Sequence, residues 1–472
     1  MEETMLTVPL DSTKKQPLYE QLYRFIRLEI EQGNLAAGER MPSKRELSAH
    51  LKISQNTVDT AYSQLAAEGY LKAKPRSGFY VEQLEPLLPR AEKAVPYRAN
   101  PVKEEHFAYD FHTGGVSTEH FPFSTWSKLM REVLGGSSRE LLLATDPQGL
   151  PALREQIARY LHEFRGVAAS PDQIVLGAGS EYLLGLLIQM LGRDCVFAVE
   201  NPGYPRIRRI LEGHSMAVRP VLLDARGMSA HRLRRTDARV AHITPSHQFP
   251  MGVVMPASRR SELLGWANER QGRYLIEDDY DSEFRFSGRP IPALQGMDGE
   301  KVIYLNTFAK SLAPSMRIGY MVLPKALLEE YRARFRFYSC TVPSLEQYTL
   351  ERFLRGGYFE RHLNRMRTLY KQKRDRLLQA MEESGLTGFM QISGEDAGMH
   401  FLLNVQNGMD EAELISRARE ENVRVYGLSE YVIGAPPAGV SLIVLGYGGL
   451  KEADMPEAAA RLRRAWDPDC IA

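Results

Sequence analysis

The chain has 472 residues, of which 43% are hydrophobic and 25% are charged, and its formal net charge at pH 7 is +1. This composition is ordinary for a globular protein with a sizeable core, and it excludes a polycation that coats nucleic acid along its whole length. Three scattered cysteines, no export signal at the start, and no apolar run long enough to span a bilayer predict a cytoplasmic protein without a membrane partner.

Residues 11–80 predict a small helical unit that ends in a hairpin. Apolar residues recur at helical spacing in a first segment, Ser43 begins a second helix with a capping box, and Ser54 caps a third helix. Two β-runs, at 70–73 and 79–81, follow. This order is typical of a winged helix-turn-helix, whose third helix enters the major groove of double-stranded DNA.

Polar and basic side chains gather where such a unit would meet DNA. The unit holds eleven Lys/Arg against eight Asp/Glu, so it is only mildly basic, and a protein-binding helix-turn-helix is the alternative. The candidate DNA-binding residues are Ser43, Lys44, Arg45, Ser54, Gln55, Asn56, Thr57, Arg76, Ser77 and Gly78.

The next segment changes in character. Between residues 83 and 108, four prolines are interleaved with charges, which predicts a semi-extended tether. From Tyr109 onward β-like runs alternate with helical ones, which predicts a mostly parallel sheet with ligands at the carboxyl ends of its strands. We therefore expect a head at 1–82, a linker at 83–108 and a body at 109–472.

One lysine and one arginine follow the β-run at 302–305. Lys310 comes first, and Arg317 lies seven residues later. An amine and a guanidinium at this spacing suit a cofactor with an aldehyde and a phosphate, such as pyridoxal phosphate: the lysine would form a Schiff base, and the arginine would bind the phosphate. An isolated lysine is more often a solvated surface charge, so the prediction needs support from other segments.

Two further segments suit the same cofactor. The turn at Gly179 and Ser180 follows a β-run and opens a helix whose N-terminus can bind a phosphate, while Tyr182 either stacks on a planar ring or belongs to the core. Asp278, within an acidic run, can keep a pyridine nitrogen protonated, and Tyr280 can bond the ring oxygen. A metal site at this run is less favoured, because no histidine lies nearby in the sequence.

A rigid turn, Asn201-Pro202-Gly203-Tyr204-Pro205-Arg206, follows another β-run. It presents Tyr204 and Arg206, which suit the carboxylate of a small ligand. A structural corner with a surface arginine is the alternative for this turn taken alone.

Several motifs carry resemblances to known families. Those of the head are Pro42-Ser43-Lys44-Arg45-Glu46-Leu47 and Ser54-Gln55-Asn56-Thr57-Val58, and those of the body are Asp146-Pro147-Gln148-Gly149, Ile243-Thr244-Pro245-Ser246-His247-Gln248-Phe249-Pro250, Glu277-Asp278-Asp279-Tyr280-Asp281-Ser282-Glu283-Phe284 and Thr307-Phe308-Ala309-Lys310-Ser311. The head resembles the GntR-type DNA-binding domain, and the body resembles the fold-type I aminotransferases. Their order resembles the MocR/GabR family of bacterial regulators.

This resemblance implies an α/β protein with a winged helix-turn-helix and a pyridoxal-phosphate-binding body. The body would have a large, mostly parallel sheet subdomain and a smaller C-terminal α/β subdomain. By position, Lys310 matches the lysine that binds the cofactor, Asp278 the partner of the ring nitrogen and Tyr280 a partner of the ring oxygen. Ser180, Thr307 and Arg317 match the phosphate side. The resemblance also implies a homodimer.

The sequence departs from related patterns at four positions. Phe249 stands where working aminotransferases usually have the asparagine that bonds the ring oxygen, Ala309 replaces a frequent serine, and Ala144 replaces a frequent tyrosine. Glu430 best matches an arginine that holds the effector carboxylate in GABA-responsive relatives, with Arg424 nearby. Tyr204, Arg206 and Glu430 are therefore the candidate effector residues, and an effector with a γ-carboxylate is not expected.

The sequence predicts a pyridoxal-phosphate-dependent transcriptional regulator. A small amine or amino acid would displace Lys310 by forming an external aldimine, and the body would pass this change to the DNA-binding heads. Two alternatives remain open: a genuine aminotransferase with an accessory head, and a sensor of pyridoxal phosphate itself that controls vitamin supply. In the favoured interpretation, at most residual transaminase activity survives.

Overall fold

The computed structural model describes residues 6–84, 105–136, 139–286, 291–434 and 441–467. The chain divides into two compact units, at 1–104 and 105–472. Most of the predicted linker, residues 85–104, lies outside the described residues. Within the part of the chain that is described, no helix combines the length and the apolar character needed to cross a membrane.

The first unit is a three-helix winged domain. Its elements are α1 (Leu18–Glu31), α2 (Lys44–Leu51), α3 (Gln55–Ala67), β1 (Leu71–Lys74) and β2 (Gly78–Val81). The two predicted caps are confirmed, since the Ser43 side chain accepts from the Glu46 amide and the Ser54 side chain from the Thr57 amide. The strands pair antiparallel as a wing, and the helices pack around a core of their own.

The second unit is built on an eight-stranded sheet. A short strand, β3 (Tyr109–Asp110), comes first in the chain and lies outside this sheet. The strands of the sheet are β4 (Ile174–Gly177), β5 (Val196–Asn201), β6 (Ala217–Asp224), β7 (Gly227–Met228), β8 (Val240–Ile243), β9 (Tyr274–Asp278), β10 (Val302–Thr307) and β11 (Gly319–Val322). Their order is β4-β11-β10-β9-β8-β5-β6-β7. Strands β11 and β7 run antiparallel to their neighbours, while β6, β5, β8, β9 and β10 pair in parallel, so the predicted, mostly parallel sheet is confirmed.

Helices cover both faces of this sheet. The α-helices of the second unit are α4 (Phe123–Gly135), α5 (Pro151–Arg165), α6 (Ser180–Leu191), α7 (Pro205–Gly213), α8 (Ala230–Arg234), α9 (Ala257–Asn268), α10 (Lys325–Arg334), α11 (Ser344–Arg355), α12 (Tyr358–Glu383), α13 (Glu411–Glu420) and α14 (Met455–Ala465). Along β4, Ile174 and Leu176 join one hydrophobic cluster while Val175 joins another. Successive side chains of a strand point to opposite faces, so both faces are buried.

A smaller antiparallel sheet forms the C-terminal subdomain, as the resemblance implied. Its strands are β12 (Met390–Ser393), β13 (His400–Val405), β15 (Tyr426–Gly427) and β16 (Leu442–Gly446), in the order β12-β13-β16-β15, while β14 (Val423–Arg424) pairs with β3. Short 3-10 helices lie at Thr118–His120, Arg139–Leu142, Pro171–Gln173, Leu294–Gly296, Pro314–Met316, Leu386–Gly388, Leu428–Tyr431 and Glu452–Asp454.

The register of the large sheet aligns the candidate site residues. Thr307 pairs with Gly319, and Gly319 pairs in turn with Gly177. Leu305 pairs with Asp278 on the neighbouring parallel strand. The strand ends that precede Lys310, Tyr280 and Ser180 therefore meet along one edge of the sheet.

Candidate functional site

Lys310 lies three residues beyond the end of β10, with its amine turned into the protein. Its Nζ donates to the Thr113 carbonyl oxygen over 2.7 Å. Burial lowers the pKa of this amine to about 8, although the Asp281 carboxylate acts in the opposite direction. A depressed pKa leaves a larger share of the amine neutral, the form that attacks an aldehyde.

Asp278 is the one member of its acidic run that faces the site. Its Oδ2 lies 3.2 Å from His242 Nε2. Alternation along β9 turns Glu277 and Asp279 the other way. There the Glu277 carboxylate accepts from the Leu294 and Gln295 amides, and Asp279 accepts from Arg165 over 2.8 Å, so both have structural partners.

A helix N-terminus and an arginine meet at the other end of the site. Helix α6 begins at Ser180, and Gly179 precedes it with φ of +93°. A Cβ at Gly179 would lie 2.8 Å from Arg317 Nη2, and that nitrogen donates to the Ala178 carbonyl oxygen over 3.2 Å. Gly319 brings Thr307 to this turn, since a Cβ there would lie 3.1 Å from Thr307 Cγ2 and 3.3 Å from the Gly179 carbonyl carbon.

Glu181 joins two arginines that the sequence treats as separate anion binders. Its Oε1 accepts from Arg206 Nη1 over 2.5 Å, and its Oε2 accepts from Arg317 Nη2. Burial raises the pKa of this carboxyl, but hydrogen bonds from Arg317 and Arg206 outweigh burial and the pKa is lowered. Glu181 was not among the predicted site residues, because an acid in the first turn of a helix ordinarily indicates only a favourable helix dipole.

Two histidines distant in the sequence meet near Tyr280: His247 lies beside Tyr280, and His400 lies beside His247. The Tyr280 hydroxyl lies 3.1 Å from His247 Nδ1, and the same nitrogen lies 2.8 Å from Asp281 Oδ2. The His400 ring lies 4.8 Å from the His247 ring, and His400 Nε2 donates to the Pro250 carbonyl oxygen over 3.0 Å. Neither histidine was predicted to belong to the site, because no histidine is near the acidic run along the chain.

These two histidines and Asp281 have the composition of a metal site, with ligand atoms within 4.8 Å of one another. Two observations disfavour a cation there. The imidazole nitrogen of His247 and the Asp281 oxygen already contact each other directly. The adjoining pocket of about 240 Å³ is also lined by Arg165 and Arg285, whose positive charges oppose a metal ion.

The aromatic residues of the region divide between the core and the site. Tyr182 packs against the hydrophobic cluster beneath α6, which favours the core alternative for this residue. Tyr204 is 41% exposed, and its ring lies edge-on to Phe249 at 5.3 Å. Phe249 is buried and also contacts the rings of Tyr280 and Tyr431. Phe249 therefore places an apolar ring between Tyr204, Tyr280 and Tyr431.

A pocket of about 430 Å³ adjoins Tyr204 and is lined by Glu200, His242, Glu430 and Tyr431, among others. Burial raises the pKa of Glu200 to about 7 and raises that of Glu430. Arg424 is turned to other partners, since it lies 3.9 Å from Asp110 and over the Tyr426 ring. The lining thus combines two carboxyl groups, Glu200 and Glu430, with one guanidinium, that of Arg208.

The residues along this edge of the sheet fit pyridoxal phosphate. They supply a half-buried amine at Lys310, a carboxylate at Asp278, a phenol at Tyr280, and a helix N-terminus with Arg317 for the phosphate. Gly179 is the most specific sign, because any larger residue would push a Cβ into the Arg317 guanidinium.

The surface of the first unit that the sequence predicts to face DNA is polar at the start of α3 and at the wing. Arg45, Gln55, Asn56 and Arg76 are exposed. Lys44 is partly engaged, since its amine pairs with Asp59 and lies 5.0 Å from the Phe79 ring centroid. The remaining polar groups have local roles: the oxygens of Ser54 and Thr57 lie 2.8 Å apart, and the Ser77 hydroxyl lies 2.6 Å from that of Tyr80.

Comparisons with known proteins agree with both halves of this description. Residues 18–81 match the gntR family of bacterial regulatory proteins, and residues 111–462 match aminotransferase class I and II. The HTH-type transcriptional regulator YdeL of Bacillus subtilis is 39% identical over 98% of this chain and 99% of its own. The protein named "Probable rhizopine catabolism regulatory protein MocR" of Rhizobium meliloti is 34% identical over 97% of this chain and 95% of its own.

Among solved structures, the kynurenine aminotransferase of Pyrococcus horikoshii, in complex with PMP, superposes with a TM-score of 0.68 at 26% identity. The match covers 81% of this chain and 98% of that enzyme. A winged helix-turn-helix on an aminotransferase-like body defines a DNA-binding transcriptional regulator. The chain belongs to the MocR-type family of such regulators.

Proposed function

We propose that this regulator binds pyridoxal phosphate through Lys310 and alters its DNA binding when a small amine or amino acid takes the place of that lysine. The observation that carries the proposal is the Lys310 amine, partly neutral near physiological pH and placed on the same edge as Asp278 and Tyr280. The protein would act in the cytoplasm as a homodimer, with two heads on paired half-sites of an operator.

Each candidate residue has a stated role in the proposal. When bound, pyridoxal phosphate supplies an aldehyde that reacts with primary amines and a ring that absorbs visible light. Asp278 would hold the ring-nitrogen proton, Tyr280 would donate to the ring oxygen, and Gly179, Ser180, Thr307 and Arg317 would surround the phosphate. The nitrogen of the incoming amine would bond to the aldehyde carbon in place of Lys310 Nζ, which would leave as a free amine; one carbon–nitrogen linkage is exchanged for another, so no oxidant is needed.

The effector end favours an amine without a distant carboxylate. Tyr204 and Arg206 would flank the ligand, while Glu430 and Glu200 line the adjoining pocket together with Arg208. A carboxylate directed at Glu430 would be repelled, whereas an uncharged or cationic group would not. Amines that carry an ω-carboxylate should therefore be the weakest effectors in a matched series.

The test is to titrate the purified, cofactor-loaded protein with a panel of amines and amino acids. Visible absorbance and operator binding are followed in the same samples. At least one amine should change both signals with the same concentration dependence, and Lys310→Ala should have no lysine-linked absorbance. If the spectrum responds to amines but operator affinity never changes, the sensing proposal is wrong.

Two alternative functions predict different results. Rapid, repeated turnover with a keto acid would identify an aminotransferase; Phe249, in place of the amide of working enzymes, counts against it. An operator affinity that responds to pyridoxal phosphate alone, and equally in the presence of every amine, would identify a sensor of the cofactor itself.

A further inference from the structure

A buried pair formed by His247 and Asp281 lies against the hydroxyl of Tyr280. His247 Nδ1 lies 2.8 Å from Asp281 Oδ2 and 3.1 Å from the Tyr280 oxygen. The side chains of His247 and Asp281 are each 2% exposed. Any role of this pair toward the cofactor rests on the proposed function, in which Tyr280 faces the ring oxygen of pyridoxal phosphate.

The backbone of Gly398 confines this pair. A Cβ at Gly398 would lie 2.2 Å from His247 Cε1 and 2.4 Å from Asp281 Oδ2, and φ there is +72°. The glycine is fixed on both sides, because its amide donates to the Phe284 carbonyl oxygen and its own carbonyl accepts from the Tyr447 hydroxyl, each over 2.7 Å. The imidazole and the carboxylate are therefore held against each other with little room to rotate.

The surroundings of His247 decide which nitrogen carries its proton. Nε2 is buried and makes no hydrogen bond to any part of the chain that the structure describes. A proton on Nε2 would leave a buried donor unsatisfied, at a cost of about 1–3 kcal/mol. The proton therefore lies on Nδ1, where it is donated to the Asp281 carboxylate.

This assignment fixes the direction of the Tyr280 hydroxyl. A protonated Nδ1 cannot accept from Tyr280, so the phenol cannot direct its hydrogen at this nitrogen. Burial, followed by the charges of Asp281 and Asp278 and a hydrogen bond to the Asp281 side chain, holds the pKa of Tyr280 well above its usual range, so the phenol keeps its proton. Asp281 also accepts from His247 in this arrangement, so the ring oxygen of a bound cofactor would compete with Asp281 for the Tyr280 proton.

We propose that His247, held by Asp281, is a positioning residue that directs the Tyr280 hydroxyl hydrogen toward the ring oxygen of pyridoxal phosphate. His247 does not touch the cofactor in this scheme and acts only through Tyr280. The other charged or titratable groups that face the three residues are Asp278, Glu200, Lys310, His400, Tyr447, Arg165 and Arg285.

Simple packing is the competing explanation. The rings of His247 and Tyr280 stack at 6.2 Å with an interplanar angle of 27°, and Phe249 lies 6.1 Å from Tyr280 on another side. If packing alone placed Tyr280, any side chain that fills the His247 site would serve. The experiment must therefore separate the Nδ1 donor from the bulk of the ring.

The hydrogen-bond effect and the packing effect can be distinguished by the pH midpoint of the change in visible absorbance of the cofactor-loaded protein. The Tyr280 hydrogen bond would stabilise negative charge on the ring oxygen of the bound cofactor. Without this bond, the ring oxygen would hold the proton that it shares with the adjacent nitrogen more tightly, and the pH midpoint of the absorbance change should rise. Tyr280→Phe and His247→Ala should each raise it by about half to one pH unit, the equivalent of one neutral hydrogen bond. The double variant should match Tyr280→Phe alone, because His247 acts through that hydroxyl.

A matched pair of amides provides the control, and it also serves if His247→Ala does not fold. Asparagine places its amide nitrogen near the position of Nδ1, whereas glutamine reaches toward Nε2. The midpoint of His247→Asn should stay near that of the wild type, and that of His247→Gln should rise. Additive shifts in the double variant, or the reverse order of the two amides, would overturn the proposal.

Equilibrium affinity of the cofactor-free protein for pyridoxal phosphate gives a second measurement on the same variants. It should fall about threefold to tenfold in His247→Ala and in Tyr280→Phe, without a further fall in the double variant. Wild-type protein that stays colourless after reconstitution would instead refute the proposed function, so the two failures are distinguishable.

Discussion

The reactivity of Lys310 depends on residues that lie far from it in the sequence. The sequence places it after a strand, but its reactivity depends on burial, which lowers the pKa, and on the Asp281 charge, which raises it. Asp281 lies 29 positions before Lys310 and reaches it only through the fold. The same holds for Glu181, whose two arginine partners are far from it along the chain.

The first prediction concerns the pH dependence of cofactor attachment. The neutral amine is the nucleophile, so the rate at which cofactor-free protein gains visible absorbance should rise with pH and level off above about 8. A lysine with the ordinary pKa of 10.5 would give a rate that still rises at that point. Stopped-flow absorbance between about pH 6 and pH 10 measures the profile, and free lysine derivatives give the reference.

The second prediction concerns Glu181. Its carboxylate occupies Arg317 and adds negative charge beside the expected phosphate. Glu181→Gln should therefore bind pyridoxal phosphate about threefold more tightly at low salt, with a smaller effect at high salt. Glu212→Gln, in α7, is the matched control, since its partner is Arg208. A weaker affinity in Glu181→Gln would show instead that the carboxylate holds Arg317 in place.

Among the elements, strand β9 illustrates why a run of acids is ambiguous in sequence. Its alternation sends Asp278 to the site and sends Glu277 and Asp279 to buried structural partners. In helix α6, the N-terminus can contribute to a phosphate site only because Gly179, which has no side chain, leaves room for the Arg317 guanidinium. In the head, the caps at Ser43 and Ser54 fix where α2 and α3 begin, and hence which side chains are exposed there.

The third prediction concerns the DNA-facing elements. Arg45→Ala and Arg76→Ala should weaken operator binding and reduce the slope of log affinity against log salt by about one each. Gln55→Ala should alter the preference among operator sequences and leave that slope unchanged. Fluorescence anisotropy over a salt series measures both effects. Arg24→Ala, on α1 and paired with Glu20, is the control expected to change neither.

At the scale of the whole molecule, the chain joins two units with separate cores. Among the described residues, the hydrophobic cluster of the head is built from the head and the clusters of the body are built from the body. Each unit is therefore expected to fold alone. The boundaries at 82 and 109, and the tether between them, remain predictions.

The fourth prediction comes from this division. A fragment of residues 1–84 should fold and bind one operator half-site, with a salt slope about half that of the full chain. The full chain should bind the paired sites much more tightly, because a dimer makes the second contact intramolecular. Sedimentation and anisotropy on the same samples test both statements. Equal affinity and slope for the fragment and the full chain would argue against a dimer with two heads on the operator.

The sequence by itself determined the winged head, the mostly parallel sheet, the caps of α2 and α3, and a lysine and an arginine that suit pyridoxal phosphate. These features depend on neighbours within a few residues, through periodicity, capping and strand-to-helix turns. Only the tertiary structure decided that Tyr182, partly buried, packs against the cluster beneath α6, that Glu181 joins Arg206 to Arg317, and that His247 and His400 lie beside Asp281. Such contacts join residues up to 153 positions apart, and no local pattern encodes them because they form only when separate strands and loops meet.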